Sequence, residues 1–193
     1  MNNFLKTILL SAIFLFSTFS HAADNYAASI KAFKAADETK PFFNNAYGYA
    51  LFPTIGKGGL GIGAAHGKGQ VYLAGKVTGN TSMTQVTIGL QAGGQAYSQI
   101  IFFQDKRAYV DFTSGNFEFG AQATAVAITA SAQASAGSTG STAGAAPGGT
   151  AGKQAKINYQ KGMAVFTYAK GGLMYEASIG GQKFTFEPLG KKK

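Results

Sequence analysis

From Asn25 to about Lys40 the residues Tyr26, Ile30, Phe33 and Ala36 recur at helical spacing, while Lys31 and Lys34 fall on another part of the surface. This spacing predicts a short amphipathic helix that ends before Pro41. After it the period drops to two. Val86, Ile88, Leu90 and Ala92 alternate with Gln85, Thr87, Gly89 and Gln91, as in a half-buried strand whose apolar side faces a core. Val71 with Leu73, Val110 with Phe112, the alternation from Leu173 to Ile179, and Phe184 with Phe186 predict further strands. The unbroken run Ile100 to Phe103 reads as a strand covered on both faces. Gly171-Gly172 and Gly180-Gly181 supply turns, and Lys106 and Arg107 are expected at another. Residues 121–130 fit helix and strand equally well. The pattern gives an α+β fold: a predominantly antiparallel β-sheet, partly closed or barrel-like, backed by a short N-terminal helix.

Composition changes this picture in three places. Ser131 to Gly152 holds only small or polar residues and Pro147, so a flexible Gly/Ala/Ser/Thr loop is expected over 131–152, inside one domain rather than between two. Residues 1–22 carry Lys6, an apolar run from Thr7 to Phe19 and the small residues Ser20 and Ala22, which is the pattern of a secretory signal peptide. Cleavage after Ala22 leaves a single domain over 23–193 and places the product in the periplasm or outside the cell, with peripheral attachment to a membrane. Glycine is dense between Tyr47 and Tyr72, where it permits close backbone contacts and leaves few side chains for chemistry.

Charge and motif chemistry point to binding. The chain of 193 residues has a formal net charge of +9 and no cysteine, which excludes disulfides, thiol chemistry and a lipid-modified cysteine. A basic surface on an exported protein suits anionic phospholipid or another anionic envelope surface, with no nucleic acid among the expected partners. Gly56, Gly58 and Gly61 match a dinucleotide fingerprint in spacing. The segment after them is glycine-rich and alternating instead of helical, and no acidic residue follows at the required distance. His21 leaves with the signal; His66, alone among glycines, reads as a turn residue, and no metal or cofactor is expected. Asp105, Asp111 and Glu118 read as turn and solvent-facing positions, and no nucleophile elbow is present, so the chain is not expected to be an enzyme. The candidate lipid-binding residues are Lys31, Lys34, Lys57, Lys68, Lys76, Lys106 and Arg107, with Lys191 to Lys193 closing the chain.

Tyr47-Gly48-Tyr49-Ala50-Leu51-Phe52-Pro53, then Gly56 to Gly63 and Gly67-Lys68-Gly69, resemble the SYLF domain family of lipid-binding and actin-regulating proteins. Gly89 to Gln95 leading into Ile100 to Phe103, and Phe117 to Gly120, resemble later segments of that family in the same order. The resemblance implies an α+β domain that contacts membrane lipid, with Lys57 and Lys68 at matching positions. Two departures separate this chain from the eukaryotic members: an export signal, and no tryptophan near Thr81-Ser82-Met83. Actin is therefore not an expected partner. The competing expectation is a structural envelope protein or small outer-membrane β-barrel, motivated by the alternating segments and numerous aromatics.

Overall fold

The computed structural model describes residues 25–121, 123–128, 159–170 and 179–190. The expected signal peptide, the 131–152 loop, most of the Leu173 to Ile179 alternation and Lys191 to Lys193 lie outside the described residues. Helix α1 covers residues 25–35 and α2 covers Lys40–Asn45. Two long strands follow, β1 (Gly48–Leu73) and β2 (Lys76–Phe103), then α3 (Lys106–Phe112), β3 (Phe117–Glu118), β4 (Val126–Ile128), β5 (Met163–Ala169) and β6 (Lys183–Pro188). All strand pairs are antiparallel except β4 with β5.

The sheet is built on one hairpin folded in half. β1 pairs with β2 along nearly its whole length, from Gly48 opposite Phe103 to Leu73 opposite Lys76, around a turn at Ala74-Gly75. The register slips between Leu60 and Ile62, where β2 contributes extra residues, and there the hairpin bends back on itself. Beyond the bend, Gly67 lies against Thr54 and Ile55, Gly69 against Leu51 and Phe52, and Gly48 against Tyr72. Each half is about 35–40 Å long at strand rise. The first half continues through β5 to β4, and the second through β6 to β3. The molecule therefore has a bend end, at residues 59–61, and a turn end, at residues 74–75.

Two apolar layers hold this arrangement. Between the halves lie Phe52, Ile55, Met83, Ile101, Phe103, Val165 and Phe184, joined by Phe112 of α3. On the outer side of the first half, Leu51, Ile100, Phe102, Ala164 and Phe166 are covered by Phe33, Ala36 and Phe42 of the N-terminal helices. Ile100 to Phe103 are fully buried, as a strand covered on both faces requires. The apolar stripe of α1 thus packs on the sheet.

Several local expectations are corrected. The N-terminal helix does not run to Lys40: it stops at residue 35, Thr39 folds its hydroxyl onto the Phe33 and Ala36 carbonyls, and Pro41 begins α2 instead of following a helix. Val110 and Phe112 belong to α3, not to a strand, because the Asp105 carboxylate accepts from the Ala108 amide at 2.9 Å and caps a helix whose first turn holds Lys106 and Arg107. His66 is a strand residue opposite Thr84, not a turn residue. The alternation at Val86 is real, but its faces are reversed: Gln85 is 3% exposed and Val86 70%.

The contact between the hairpin halves yields a stability prediction. A Cβ at Gly69 would lie 2.6 Å from the Leu51 carbonyl and 2.7 Å from the Phe52 ring, whereas one at Gly56 would meet nothing within 4 Å. Gly69→Val is expected to lower unfolding stability by about 2–3 kcal/mol, and Gly56→Ala to leave it unchanged or raise it by about 0.5 kcal/mol. Urea unfolding followed by circular dichroism reads both, and equal effects would mean that the halves do not touch there.

Candidate functional site

The fold distributes the seven candidate cations over three surfaces. Lys31 and Lys34 are exposed on α1, where the Lys34 ammonium sits 5.6 Å above the Phe43 ring. Lys76, Lys106 and Arg107 lie at the turn end. Tyr109 of α3 donates its hydroxyl to Thr78 Oγ1 at 3.2 Å and packs edge-on against Tyr47, which ties α3 to the strand that begins at Lys76. Arg107 faces Asp105 at 3.6 Å, but both side chains are largely exposed, so this pair adds little stability. Lys57 lies close to the bend, and Lys68 lies midway along the second half.

The outward face of the second hairpin half is not covered by any described element, and its rungs follow from the register. Nearest the bend stand Ile62, 66% exposed, and then the pair Ala64 with Val86. The next rung is His66, Thr84, Lys183 and Glu118; the one after is Lys68, Ser82 and Thr185. Two residues along a strand advance about 6.6 Å, so the cations follow the apolar rung at roughly 7–13 Å. Lys183 lies 3.5 Å from Glu118. On the first half, Lys57 stands opposite Gln95 and is half-buried, and the Lys170 ammonium reaches Thr54 Oγ1 at 3.1 Å.

The outward face of the second half therefore carries Lys68 and Lys183 along the same strands as the exposed Ile62 and Val86, with Glu118 in the rung of Lys183, while Lys57 and Lys170 belong to the first half. Lys170 and Lys183 escaped the sequence reading because only strand pairing brings them near the glycine block. Glu118 was legible as a solvent-facing position, and here it is the pairing partner of Lys183.

The interior beneath this face is polar. Gln99 and Gln182 exchange amide hydrogen bonds at 2.8 and 3.1 Å, Gln182 also donates to the Tyr97 oxygen at 3.4 Å, and Gln85 donates to the Gly180 carbonyl at 2.9 Å. Thr167 Oγ1, opposite Gln99 on β5, is buried and has no partner among the described residues. Burial pushes the Tyr97 hydroxyl up to about 12, against a smaller downward pull from Gln182. These groups are amides and hydroxyls. His66, Asp105, Asp111 and Glu118 are not among them, and no cluster of metal-ligating side chains occurs among the described residues.

A family model described as Ysc84, Las17-binding protein actin regulator, matches residues 84–188. That span includes Val86, Lys170 and Lys183, and leaves Lys57, Ile62 and Lys68 outside it. Beta cell expansion factor A of Aeromonas veronii is 30% identical over 159 residues, which cover 81% of this chain and 52% of that protein. The chain spans about half the length of this relative.

The Tyr97 environment sets a pH dependence. A tyrosine whose folded pKa is raised from 10.0 to about 12 contributes stability in full below pH 10, and that contribution is lost as pH rises from 10 to 12. Tyr97→Phe is expected to flatten the fall of unfolding free energy over this window. Urea midpoints measured at several alkaline pH values check it, and an unchanged slope would mean that Tyr97 ionises as it does in the unfolded chain.

Proposed function

The chain belongs to the Ysc84 family, and on that premise we propose that it is a non-catalytic lipid-binding module that docks on anionic phospholipid by the bend side of its folded hairpin. The observation that carries this reading is the reversed polarity of the strand: Gln85 is buried, while Val86 beside it and Ile62 on the facing strand stand in solvent. An apolar rung turned outward against the demands of the core is suited to a second apolar medium.

The energetics favour weak, reversible docking. Immersing two aliphatic side chains contributes about 1–3 kcal/mol each at full burial, and each lysine near an anionic surface adds about 1 kcal/mol. Association costs offset part of this sum. The headgroup layer is roughly 5–8 Å deep on each side of a bilayer. With Ile62 and Val86 at the base of that layer, His66, Lys183 and Lys68 fall at or above phosphate level, within reach of flexible lysine stems.

Peripheral docking also fits the rest of the outward face. Beyond the apolar rung it presents Lys68, Gln70, Asn80, Lys183, Thr185 and Glu187, whereas a membrane-spanning barrel needs an apolar band around its outside. No helix among the described residues is long and apolar enough to cross a membrane. The setting we propose is the bacterial envelope or the exterior, in keeping with the export-signal pattern of residues 1–22. For that setting we do not propose actin, named in the family description, as a partner.

Co-sedimentation of the protein with neutral and anionic vesicles across a salt series tests this function. Binding is expected to require anionic lipid and to fade with salt. Lys68→Glu with Lys183→Glu should weaken it by about 10–100-fold, Ile62→Asp with Val86→Asp should weaken it at every salt concentration, and Lys31→Glu should leave it unchanged. Equal binding to neutral and anionic vesicles, or no binding to either, would sink the reading.

A further inference from the structure

The turn end carries a surface of a different kind. Three of the exposed large hydrophobic residues gather there: Tyr47 at 38%, Val110 at 51% and Leu189 at 55% exposure. Their placement is fixed by shared contacts, since Tyr47 packs on Tyr109, Tyr109 bonds Thr78, and the Leu189 amide donates to the Thr78 carbonyl at 2.9 Å. The helix α3 turns Ala108 and Phe112 into the core and presents Lys106, Arg107, Val110 and Asp111 to solvent.

The order of charges on that exposed strip is unusual for an isolated helix. Lys106 and Arg107 occupy the first turn and Asp111 the last, so both signs oppose the helix macrodipole, which favours acids at the start and bases at the end. Only the cap, Asp105, is placed in the favourable sense. Charges set against their own helix become favourable when a second such helix lies antiparallel beside it. Each Asp111 then meets the other helix's N-terminus together with Lys106 and Arg107, and the two Val110 side chains meet near the centre. A strip with bases at one end, an acid at the other and an aliphatic residue between them is complementary to itself under a two-fold rotation.

We propose that the α3 face is an isologous interface through which two copies of this chain associate, antiparallel, with Tyr47 and Leu189 at its edges. The proposal stands on α3 and does not depend on lipid docking. It has a geometric consequence for that docking, however. The bend side is at the opposite end of each copy, so the pair carries its two bend surfaces outward, away from the interface.

Sedimentation velocity of the purified protein in lipid-free buffer, over a concentration series, tests the proposal. A reversible monomer–dimer equilibrium is expected. Val110→Glu, at an exposed position, should weaken dimerisation by about tenfold or more. Asp111→Lys alone should weaken it, and so should Lys106→Glu with Arg107→Glu. The combined variant K106E/R107E/D111K should restore it, because the swap inverts both sides of each pair made across the interface. Circular dichroism spectra matching the parent would show that these variants remain folded. A monomer at every concentration would overturn the proposal, as would a dimer indifferent to Val110→Glu or a combined variant no better than its parts.

Discussion

The close approach of β1 to itself is the constraint on which the remaining structure depends. Gly48, Gly67 and Gly69 place bare backbone against Tyr72, Ile55 and Leu51, with no room for a Cβ at 2.5–2.6 Å. Larger residues would force the halves apart, and the inner layer of Phe52, Met83, Ile101 and Phe184 would lose its packing contacts. A straight hairpin of this length would be a two-stranded ribbon with no interior. Folded in half, it supplies two facing walls from only two strands, and the later short strands need only extend those walls. Glycine density, which removes side chains from the chain's chemistry, is thus what allows a core to exist.

Folding the hairpin also creates two unlike ends. At the turn end the interior is aromatic: Phe103, Phe112, Phe117 and Phe184 contact one another in a chain of rings. Towards the bend the buried positions include Gln85, Tyr97, Gln99 and Thr167 beside the aliphatic Ile55 and Ala65. The dispersion and hydrophobic terms that hold the domain together are concentrated away from the bend. The surface assigned to lipid is therefore carried by the part of the sheet least committed to the core, and the surface assigned to a second copy by the part that is most firmly packed.

Much of this architecture was legible in the sequence where one physical cause acted alone. Ile100 to Phe103 announced burial on both faces because four consecutive apolar residues leave no solvent side. Phe184 in β6 and the stripe of α1 were legible for similar reasons. Two causes in competition hid the rest. Val110 and Phe112 have strand spacing, yet the Asp105 cap prevails and Val110 is left in solvent on a helix. The sheet register joins Lys183 to Thr84 and His66 across nearly a hundred residues or more, and no local pattern encodes that proximity. Val86 and Gln85 were recognised as an alternating pair, but alternation specifies that two faces differ and not which one turns inward.

That last ambiguity has a physical resolution. A sheet normally resolves it by burying the apolar face, since exposing a valine and burying a glutamine both cost free energy. Here the inverted choice is stabilised locally: the Gln85 amide bonds the Gly180 carbonyl, and the Gln99 and Gln182 amides satisfy each other. Buried amides of this kind contribute little net stability when paired and cost about 1–3 kcal/mol each when broken. They fix the register without adding apolar driving force. Holding Gln85 inside is what keeps Val86 outside, so the hydrogen-bonded interior and the aliphatic surface above it are two faces of one arrangement, and the exposure of that surface is built into the core.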